Sequence, residues 1–311
     1  MISLPAGLLK RLEKIGPVRL HEPLARHVTF GVGGPADAYL VARSRDELKE
    51  AFVAGAEHGA QTLILGAGSN ILVGDGGFRG LVVENEATAI DGPTPAEDDS
   101  AGLVRVDSGV SFASLARRMC RAGWAGIEWA VGIPGSLGGA VVHNAGAYEG
   151  CLADVLIDAE IADGHGAQES WNRERLGFSY RNSVFARGQI EPSVVLGVQL
   201  LLRRGDAGEL MAKVAAYDRD RTGAQPPGRN CGSVFKNPAG HSSWQLIDAV
   251  ELRGHRIGNA QISDKHANFI LNLGDARAAD VKGLIDLAQQ RVRDQFGVEL
   301  ETEVNLVGEG F

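Results

Sequence analysis

Clustered glycine is the feature that most constrains how this chain folds. The 311 residues include 42 glycines, and these concentrate at 31–34, 66–80, 132–139 and 146–150. Glycine is favoured where the backbone takes positive φ or approaches another group closely. A glycine-dense segment between ordered elements loses much conformational entropy on folding unless such an approach is needed. We therefore expect these segments to contribute to a binding site.

Apolar periodicity between the glycine clusters predicts a mixed α and β chain. Strands are predicted over 36–42, 62–65, 80–84, 103–109, 155–163, 168–172, 193–205, 267–272 and 298–308. Helices are predicted over 44–59, 111–122, 206–221, 242–254 and 279–297. Ser44 and Glu47 predict a capping box at the first of these helices. The polar and acidic stretch 86–102 predicts a domain boundary or a solvent loop, and we place the first domain break there.

Chain length and element order together predict three folding units, because domains commonly span roughly 100 to 200 residues. We place them at 1–86, 87–205 and 206–311, with the C-terminal strand able to return to the first unit.

Composition limits the partners that the chain can have. A formal charge of −8 argues against binding to nucleic acid, so an anionic ligand must be met by local basic residues or backbone N–H groups. Cys120, Cys151 and Cys231 are odd in number and lack C-x-x-C spacing, so we predict neither a disulfide nor a zinc site, as in a reducing cytosol. The histidines form no H-E-x-x-H pattern, and no metal site is predicted. Without a membrane-length apolar run or a signal-peptide pattern in "MISLPAGLLKRLEKIG", we expect a soluble cytoplasmic protein with no membrane partner.

Two of the glycine segments are suited to hold a phosphate. "LGAGSNILV" (65–73) follows a predicted strand, where consecutive N–H groups form either an anion-binding nest or an ordinary β-turn. The candidate residues there are Gly66, Gly68, Ser69 and Asn70. "GIPGSLGGAVVHNAGAYEG" (132–150) is a second such loop, which favours a pyrophosphate clamped between the two. No G-x-G-x-x-G opens a helix, so a dinucleotide would bind on a fold other than the doubly wound one.

Seven motifs, taken in order, resemble the family of UDP-N-acetylenolpyruvoylglucosamine reductases. They are "TFGVGGPA" (29–36), "LGAGSN" (65–70), "GIPGSLGGAVVHNAGAYEG" (132–150), "FSYRNSVF" (178–185), "GSVFKNP" (232–238), "SDKHANFILN" (263–272) and "LETEV" (300–304). The chain lacks a long insertion after "YRNS" and so resembles the shorter subclass. It departs from the family pattern at Val28, where asparagine is usual, at Glu251, in a motif that usually reads Ala-Gly-Leu, and at Asn305, where arginine is frequent.

The resemblance implies a fold, a reaction and its partners. The fold class is α+β, with a two-part FAD-binding domain of the vanillyl-alcohol-oxidase type over 1–86 and 87–205 and a smaller α/β substrate-binding domain over 206–311. FAD is expected to bind non-covalently, and NADPH is the expected hydride donor. The expected reaction reduces UDP-N-acetylglucosamine enolpyruvate to UDP-N-acetylmuramate for peptidoglycan synthesis. A monomer is expected.

The resemblance also implies the site residues. Arg181 would polarise the substrate carboxylate, Ser233 would donate a proton, and Glu303 would assist the enol intermediate. The predicted FAD-binding residues are Gly66, Gly68, Ser69, Asn70, Gly132, Ile133, Pro134, Gly135, Ser136, Gly138, Gly139, Asn144 and Gly146. The predicted substrate-binding residues are Tyr180, Lys236, Asn237 and His266, with Arg219, Arg221 and Arg229 adding basic charge near the expected entrance.

Each catalytic assignment has a structural alternative. Arg181 also fits a surface arginine on a turn, and Ser233 also fits a dispensable serine in a Gly-Ser turn. Alternation in "VELETEVNLV" gives Glu301, Glu303 and Asn305 one outward face, as on a solvated strand edge. Two other functions stay open: a different FAD-linked oxidoreductase on the same scaffold, and a flavin-binding module without catalysis.

Overall fold

The computed structural model describes residues 4–311, so the first three residues of the N-terminal segment and of the predicted unit 1–86 lie outside the described residues. The helices are α1 (Ala6–Ile15), α2 (Arg45–Glu57), α3 (Phe112–Arg121), α4 (Leu137–His143), α5 (Arg173–Leu176), α6 (Ala207–Ala224), α7 (Ser243–Ala249) and α8 (Ala278–Phe296). The first strands are β1 (Arg19–Pro23), β2 (Pro35–Ala42), β3 (Thr62–Leu65), β4 (Ile71–Val73), β5 (Phe78–Asn85), β6 (Ile90–Pro95), β7 (Ala101–Asp107), β8 (Trp124–Ala125), β9 (Gly146–Ala147) and β10 (Gly150–Cys151). The later strands are β11 (Leu156–Asp163), β12 (Gln168–Asn172), β13 (Ser193–Arg204), β14 (Arg256–Ile257), β15 (Ala260–Ile262), β16 (Ile270–Asn272) and β17 (Asn305–Val307).

The chain forms two compact units, each built from segments that alternate along the sequence. The first contains the chain up to Arg19, Ala38–Gly66 and Gly80–Arg221, and the second contains Leu20–Asp37, Ala67–Arg79 and Thr222–Phe311. The three predicted domains, with their two boundaries, stay predictions. Among the described residues, no helix combines the length and apolar character that a membrane crossing requires.

An antiparallel sheet dominates the first unit, with strand order β12-β11-β13-β7-β6 and β8 paired to β13. Its core packs against α3, where Phe112 meets Trp129 edge to face with ring centroids 5.4 Å apart. A second core joins α1 and α2 to residues of β2 and β5, and β3 runs parallel to β5. This arrangement places β3, which ends at Leu65, at the edge of a well-packed layer.

The predicted loop over 86–102 is wrong, because this stretch contains β6. Residues of β6 pair with β7 in antiparallel register, with an irregularity between Asp91 and Thr94. The strand is at the edge of the sheet, and edge strands tolerate proline and polar residues because one side needs no ladder partner. Polar composition was therefore misread as a loop.

The glycine segment 132–150 was predicted as a loop, which is also wrong in part. Ser136 begins α4 by accepting the N–H of Gly139 at 3.4 Å, and Asn144 ends α4 in the left-handed conformation with φ of +42°. The antiparallel pair β9 and β10 follows directly. Ordered elements therefore present these glycines.

The predicted helix cap and the predicted ends of several elements can be compared with the structure. Ser44 accepts the N–H of Glu47 at 3.2 Å as predicted, but the Glu47 carboxylate accepts the N–H of Arg43 at 2.7 Å, so the reciprocal half of the predicted capping box is wrong. The predicted strands over 62–65 and 168–172 match β3 and β12. The helix predicted over 242–254 ends early, at Ala249.

The second unit combines a small antiparallel sheet, β14-β15-β16, with α8 and with β17, which pairs in parallel with β4. The carboxylate of Asp75 accepts the N–H groups of Ala278 at 2.8 Å and Ala279 at 3.3 Å, satisfying donors at the start of α8. The predicted strand over 298–308 is shorter than expected, because only Asn305–Val307 forms a regular strand.

Candidate active site

The segment that contains Ser233 pairs with the segment that contains Glu303 in the second unit. Phe235 and Thr302 form an isolated antiparallel bridge. On either side of it, the N–H of Glu303 donates to the Val234 carbonyl at 2.7 Å and the N–H of Lys236 donates to the Glu301 carbonyl at 2.9 Å. The two motifs "GSVFKNP" and "LETEV" are thereby joined residue by residue.

This pairing puts charged side chains on one face. Residues opposite each other in an antiparallel pair share a face, so Lys236, Glu301 and Glu303 lie on the same side. Glu301 is exposed and forms an ion pair with the Lys236 ammonium, whereas Glu303 is half-buried. The sequence alternation predicted a solvated strand edge for both glutamates. This prediction holds for Glu301 but not for Glu303.

Asn70 connects the first glycine turn to the same place. Its side-chain N–H donates to the Glu303 carbonyl at 3.0 Å, and its own carbonyl accepts the N–H of Asn305 at 3.0 Å and the Asn305 side chain at 3.2 Å. Glu303 thus has its backbone fixed on two sides, by Val234 and by Asn70. Asn305 serves to hold Asn70 in this chain.

The "SDKHANF" motif supports the serine segment from the other side. Asn268 brackets Phe235, accepting its N–H at 2.9 Å and donating to its carbonyl at 2.8 Å. Its own carbonyl accepts the N–H of Val234 at 2.9 Å. Asn268 is buried and was not predicted as a site residue, although it lies in a motif that was singled out.

His266 belongs to the same motif and packs among aromatic rings. Its ring centroid lies 4.9 Å from that of Phe269, edge to face, and its Nδ1 faces the N–H of Asn268 at 3.3 Å. Burial, and then the positive charge of Arg253, lower the pKa of His266 below its usual value. His266 is therefore neutral at pH 7.

Lys236 and Asn237 are both hydrogen-bonded to Ser243, the first residue of α7. Ser243 donates its hydroxyl to the Lys236 carbonyl, and the Asn237 side-chain oxygen accepts the N–H of Ser243 at 3.0 Å. The two predicted substrate contacts are thus attached to the start of this helix.

Cys231 lies two residues before Ser233 but is unreactive. Burial raises the pKa of its thiol to about 12, so the thiol stays protonated at neutral pH and is a poor nucleophile.

Arg181 lies in a tight turn of the first unit. Ser179 and Asn182 exchange two N–H to carbonyl bonds of 3.1 Å, which makes Tyr180 and Arg181 the central turn residues. Arg181 has φ of +51°, a left-handed conformation that costs a residue with a side chain about 1–2 kcal/mol. Its guanidinium donates to the Gly146 carbonyl and lies 5.3 Å from the Tyr180 ring centroid. The turn thus aims Arg181 at the second glycine segment.

Asn144 fastens this turn to the end of α4. Its side-chain N–H donates to the Ser179 carbonyl at 3.1 Å, and its side-chain oxygen accepts the N–H of Ala153 at 3.1 Å. This positioning role was not foreseen, and the predicted FAD contact of Asn144 stays a prediction.

The two glycine segments meet within the first unit. A Cβ on Gly66 would lie 2.3 Å from Ser136 Oγ, so the end of β3 and the start of α4 approach as closely as glycine permits. Gly135 has φ of +121°, which only glycine adopts readily. Gly139 differs, because it is exposed and a Cβ there would meet nothing closer than Ser136 Oγ at 3.7 Å. Protein packing does not require glycine at position 139.

The close approach of Gly66 to Ser136 and the open space at Gly139 lie at the start of α4, and backbone that presents so few side chains fits the pyrophosphate of FAD. The first unit contains the predicted FAD residues Gly66, Gly132, Ile133, Pro134, Gly135, Ser136, Gly138, Gly139, Asn144 and Gly146. The second unit contains Gly68, Ser69 and Asn70. Gly68 has a structural reason for its identity, because a Cβ there would lie 2.2 Å from the His27 carbonyl oxygen.

An aromatic contact beside the glycine segment was missed by the sequence analysis. Tyr148, at the tip of the β9–β10 hairpin, stacks on Tyr217 of α6 with ring centroids 4.1 Å apart and donates its hydroxyl to the Tyr217 carbonyl at 3.0 Å. Further along α6, Arg221 packs against Gly132, where a Cβ would lie 2.5 Å from Arg221 Cδ. Burial lowers the pKa of Arg221 from its usual value. Arg219 and Arg229 are exposed.

Comparisons with known proteins cover nearly the whole chain. A family model described as the C-terminal domain of UDP-N-acetylenolpyruvoylglucosamine reductase matches residues 224–307, and one described as an FAD binding domain matches residues 36–170. The UDP-N-acetylenolpyruvoylglucosamine reductase of Chloroflexus aggregans is 41% identical over 294 residues, which cover 93% of this chain and 97% of that protein. That of Syntrophotalea carbinolica is 42% identical over 305 residues, 97% of this chain and 99% of that protein. The crystal structure of the reductase from Thermus caldophilus superposes with a TM-score of 0.77 at 36% identity, covering 94% of this chain and 98% of that one.

Proposed function

The chain belongs to the family of UDP-N-acetylenolpyruvoylglucosamine reductases, and on that premise we propose how its own residues promote reduction of the enolpyruvyl group of UDP-N-acetylglucosamine enolpyruvate. It is an FAD-dependent oxidoreductase of peptidoglycan synthesis with NADPH as reductant, which confirms the predicted function, enzyme class and cofactors. The α+β fold with an FAD-binding domain and a smaller C-terminal domain is also confirmed. Its product is UDP-N-acetylmuramate. The monomeric state and the cytoplasmic location stay proposals.

The pairing of the Ser233 and Glu303 segments is the observation that most directly supports the proposed chemistry. Reduction of an enol ether adds a hydride to the vinyl terminus and a proton to the carbon that bears the carboxylate. FAD, when bound, supplies the hydride transfer from NADPH. The protein must supply the proton and must stabilise negative charge on the substrate carboxylate as it develops.

Ser233 is the proposed proton donor. Its O–H bond breaks as the new C–H bond forms at the carbon beside the carboxylate, and the serine is reprotonated before the next turnover. Ser233 is half-buried, and the segment that follows it is fixed by Glu303 and Asn268 through the Val234 N–H and carbonyl. A fixed backbone limits the positions that the hydroxyl can take, which favours directed proton transfer.

Glu303 is the proposed assistant of this step. Its half-buried carboxylate shares a face with Lys236, and its backbone is bonded to Val234 and to Asn70. We propose that this carboxylate helps to hold the protonation state of the donor. Glu301, which lies two residues earlier and pairs with Lys236, has no such role in the proposal.

Arg181 is the proposed partner of the substrate carboxylate. A guanidinium presents parallel N–H groups that match the two oxygens of a carboxylate. The bond from Arg181 to the Gly146 carbonyl leaves the planar group oriented, and the left-handed backbone at position 181 is the kind of local strain that functional sites retain.

Binding of the remaining substrate is proposed for Tyr180, Lys236, Asn237 and His266. Lys236 offers positive charge for a diphosphate, and neutral His266 offers a ring N–H or a ring nitrogen acceptor. The glycine turns around Gly66 and Gly135 are proposed to hold the FAD pyrophosphate through their backbone N–H groups.

One experiment tests the function directly. The purified chain should show a flavin spectrum that NADPH bleaches under anaerobic conditions and that UDP-N-acetylglucosamine enolpyruvate then restores. The product should be heavier than the substrate by two hydrogens. Recolouring by alcohols or hydroxy acids instead would identify a different oxidoreductase, and a flavin that no substrate reoxidises would identify a binding module.

A further inference from the structure

The exposed indole of Trp244 is the feature from which the inference starts. The chain has four tryptophans, all among the described residues. Trp124, Trp129 and Trp171 are 4%, 7% and 8% exposed, whereas Trp244 is 36% exposed. A single exposed aromatic residue needs no functional explanation by itself. The surroundings of Trp244 within the second unit supply one.

Trp244 is flanked by two groups that are held in place. The guanidinium of Arg253 lies 5.9 Å from the Trp244 ring centroid, and the His266 ring lies 6.1 Å from it at an interplanar angle of 53°. Arg253 also pairs with the Asp248 carboxylate and donates to the carbonyls of Asp264 at 2.9 Å and Lys265 at 3.2 Å. The indole is therefore part of a rigid surface made of one aromatic ring, one cation and one neutral imidazole.

This surface begins at the predicted substrate contacts. Ser243, the residue before Trp244, is bonded to the Lys236 carbonyl and to the Asn237 side chain. A ligand whose phosphates reach Lys236 and Asn237 would bring its neighbouring group to the start of α7. The substrate of the proposed reaction carries a flat uracil ring beyond its diphosphate, and flat rings stack on aromatic side chains and on guanidinium planes.

We propose that Trp244, with Arg253 and His266 around it, is the stacking surface for the uracil ring of the nucleotide substrate. This rests on the proposed function and assigns the part of the substrate that takes no part in the chemistry. Trp244 is thus a specificity residue, because it acts on the base and not on the reacting carbons.

Tryptophan fluorescence of the FAD-loaded enzyme tests the assignment without turnover. Iodide should quench mainly Trp244, since the other three indoles are buried, and UMP should protect it. The Trp244→Phe variant should lose the iodide-sensitive signal and still bind UMP. Protection by pyrophosphate alone, or by NADP⁺ but not by UMP, would overturn the assignment.

Steady-state kinetics provide the second measurement. Trp244→Ala should raise the KM for the enolpyruvyl substrate by about 5- to 150-fold, the range seen when a base-stacking aromatic side chain is removed. The value of kcat and the KM for NADPH should stay within about threefold, and Trp244→Phe should retain most of the affinity. Gln245→Ala, at the next exposed position of α7, is the matched control and should change neither.

The two proposals fail in different ways. If the wild-type enzyme does not reoxidise with the enolpyruvyl substrate, the proposed function fails whatever UMP does. If turnover is normal and UMP affinity is the same in Trp244→Ala as in wild type, the stacking assignment alone fails. Unfolding midpoints of Trp244→Ala and Trp244→Phe within a few degrees of wild type show that both variants are folded, so that their affinities can be compared.

Discussion

The amide N–H of Glu303 donates to the carbonyl oxygen of Val234 at 2.7 Å. These residues are far apart in sequence, yet this bond places Glu303 beside the residue that follows Ser233. The Asn70 side chain donates to the carbonyl of the same Glu303 at 3.0 Å. The glycine turn and the serine segment are therefore both hydrogen-bonded to the backbone of Glu303 in the second unit.

Ser233→Ala should lower overall turnover by about 10²- to 10⁴-fold, the usual contribution of a general acid. Reduction of the flavin by NADPH should continue at nearly the wild-type rate, because the proposed role of Ser233 is limited to the substrate half-reaction. Ser233→Cys keeps a transferable proton and should retain more activity than alanine. Stopped-flow absorbance separates the two half-reactions.

Ser242→Ala is the matched control for that experiment. Ser242 is in the same stretch and its side chain makes no capping bond to α7, so turnover should stay close to wild type. Turnover within a few-fold of wild type for Ser233→Ala would mean that the proton comes from another group.

Arg181→Lys should lose most turnover while flavin reduction stays nearly normal, because lysine retains the charge but lacks the planar pair of donors. Arg181→Gly adds a test of the strained turn. Glycine accepts the φ of +51° without the side-chain penalty, so the unfolding midpoint should hold or rise while turnover is lost. A stable and fully active glycine variant would remove Arg181 from the mechanism.

Gly139→Val should lose FAD while the protein stays folded. The protein leaves space at this position, where a Cβ would be 3.7 Å from Ser136 Oγ, so a side chain would mainly obstruct a ligand. The measurement is the ratio of flavin absorbance to protein, together with far-ultraviolet circular dichroism. Gly135→Val should also lose FAD, but its φ of +121° means that the backbone itself would be strained.

Gly223→Val is the control for position 139. Gly223 also lies in a helix, and a Cβ at that position would meet nothing within 4 Å, so the valine there should leave flavin content unchanged. A full complement of FAD in Gly139→Val would show that the cofactor does not approach this glycine.

Local patterns predicted much of the fold, because apolar periodicity and caps act over a few residues. The ends of β3 and β12, the ends of α8 to within one residue, and the Ser44 cap follow from such signals. The β6 strand was missed because its residues are polar and its stability comes from pairing with β7, which short-range patterns do not reveal. Pairing partners are decided by tertiary structure.

The site was predictable only in outline for the same reason. Alternation could not separate Glu303 from Glu301, since both share a face; burial and the bond from Asn70, 233 residues away in sequence, distinguish them. Asn268 was overlooked because its side chain bonds the backbone N–H and carbonyl of Phe235, as a neighbouring strand would. A contact of this kind between distant residues produces no periodic pattern in the sequence. Tyr148 was visible in "NAGAYEG", but its stacking partner Tyr217 lies in a distant helix.

Glu251→Gly should stabilise the protein without changing turnover. The N–H of Glu251 donates to the Asp248 backbone carbonyl at 2.9 Å, and the N–H of Leu252 donates to the Ile247 carbonyl at 3.3 Å. These two bonds form a Schellman motif at the end of α7. Glu251 occupies its left-handed position with φ of +56°, where glycine is favoured. We expect a gain of about 0.5–1 kcal/mol in the free energy of unfolding, measured by urea denaturation. Glu251→Ala keeps the penalty and should give no such gain.

His266 should make the protein less stable on the acid side of neutrality. Burial and Arg253 lower its pKa in the folded state, and the uncharged packing of Trp244 and Phe269 offers no compensation for a second positive charge. The unfolded chain then binds the proton more readily, so the stabilisation is complete above the unfolded pKa of about 6.5 and is lost as the pH falls towards the lower folded pKa. His266→Gln should therefore show a flatter decline of the unfolding midpoint between pH 7 and pH 5 than the wild type does. His241→Gln, at an exposed position of the same unit, should leave the wild-type slope unchanged, and an equal slope in His266→Gln would show that protonation of His266 is not coupled to folding.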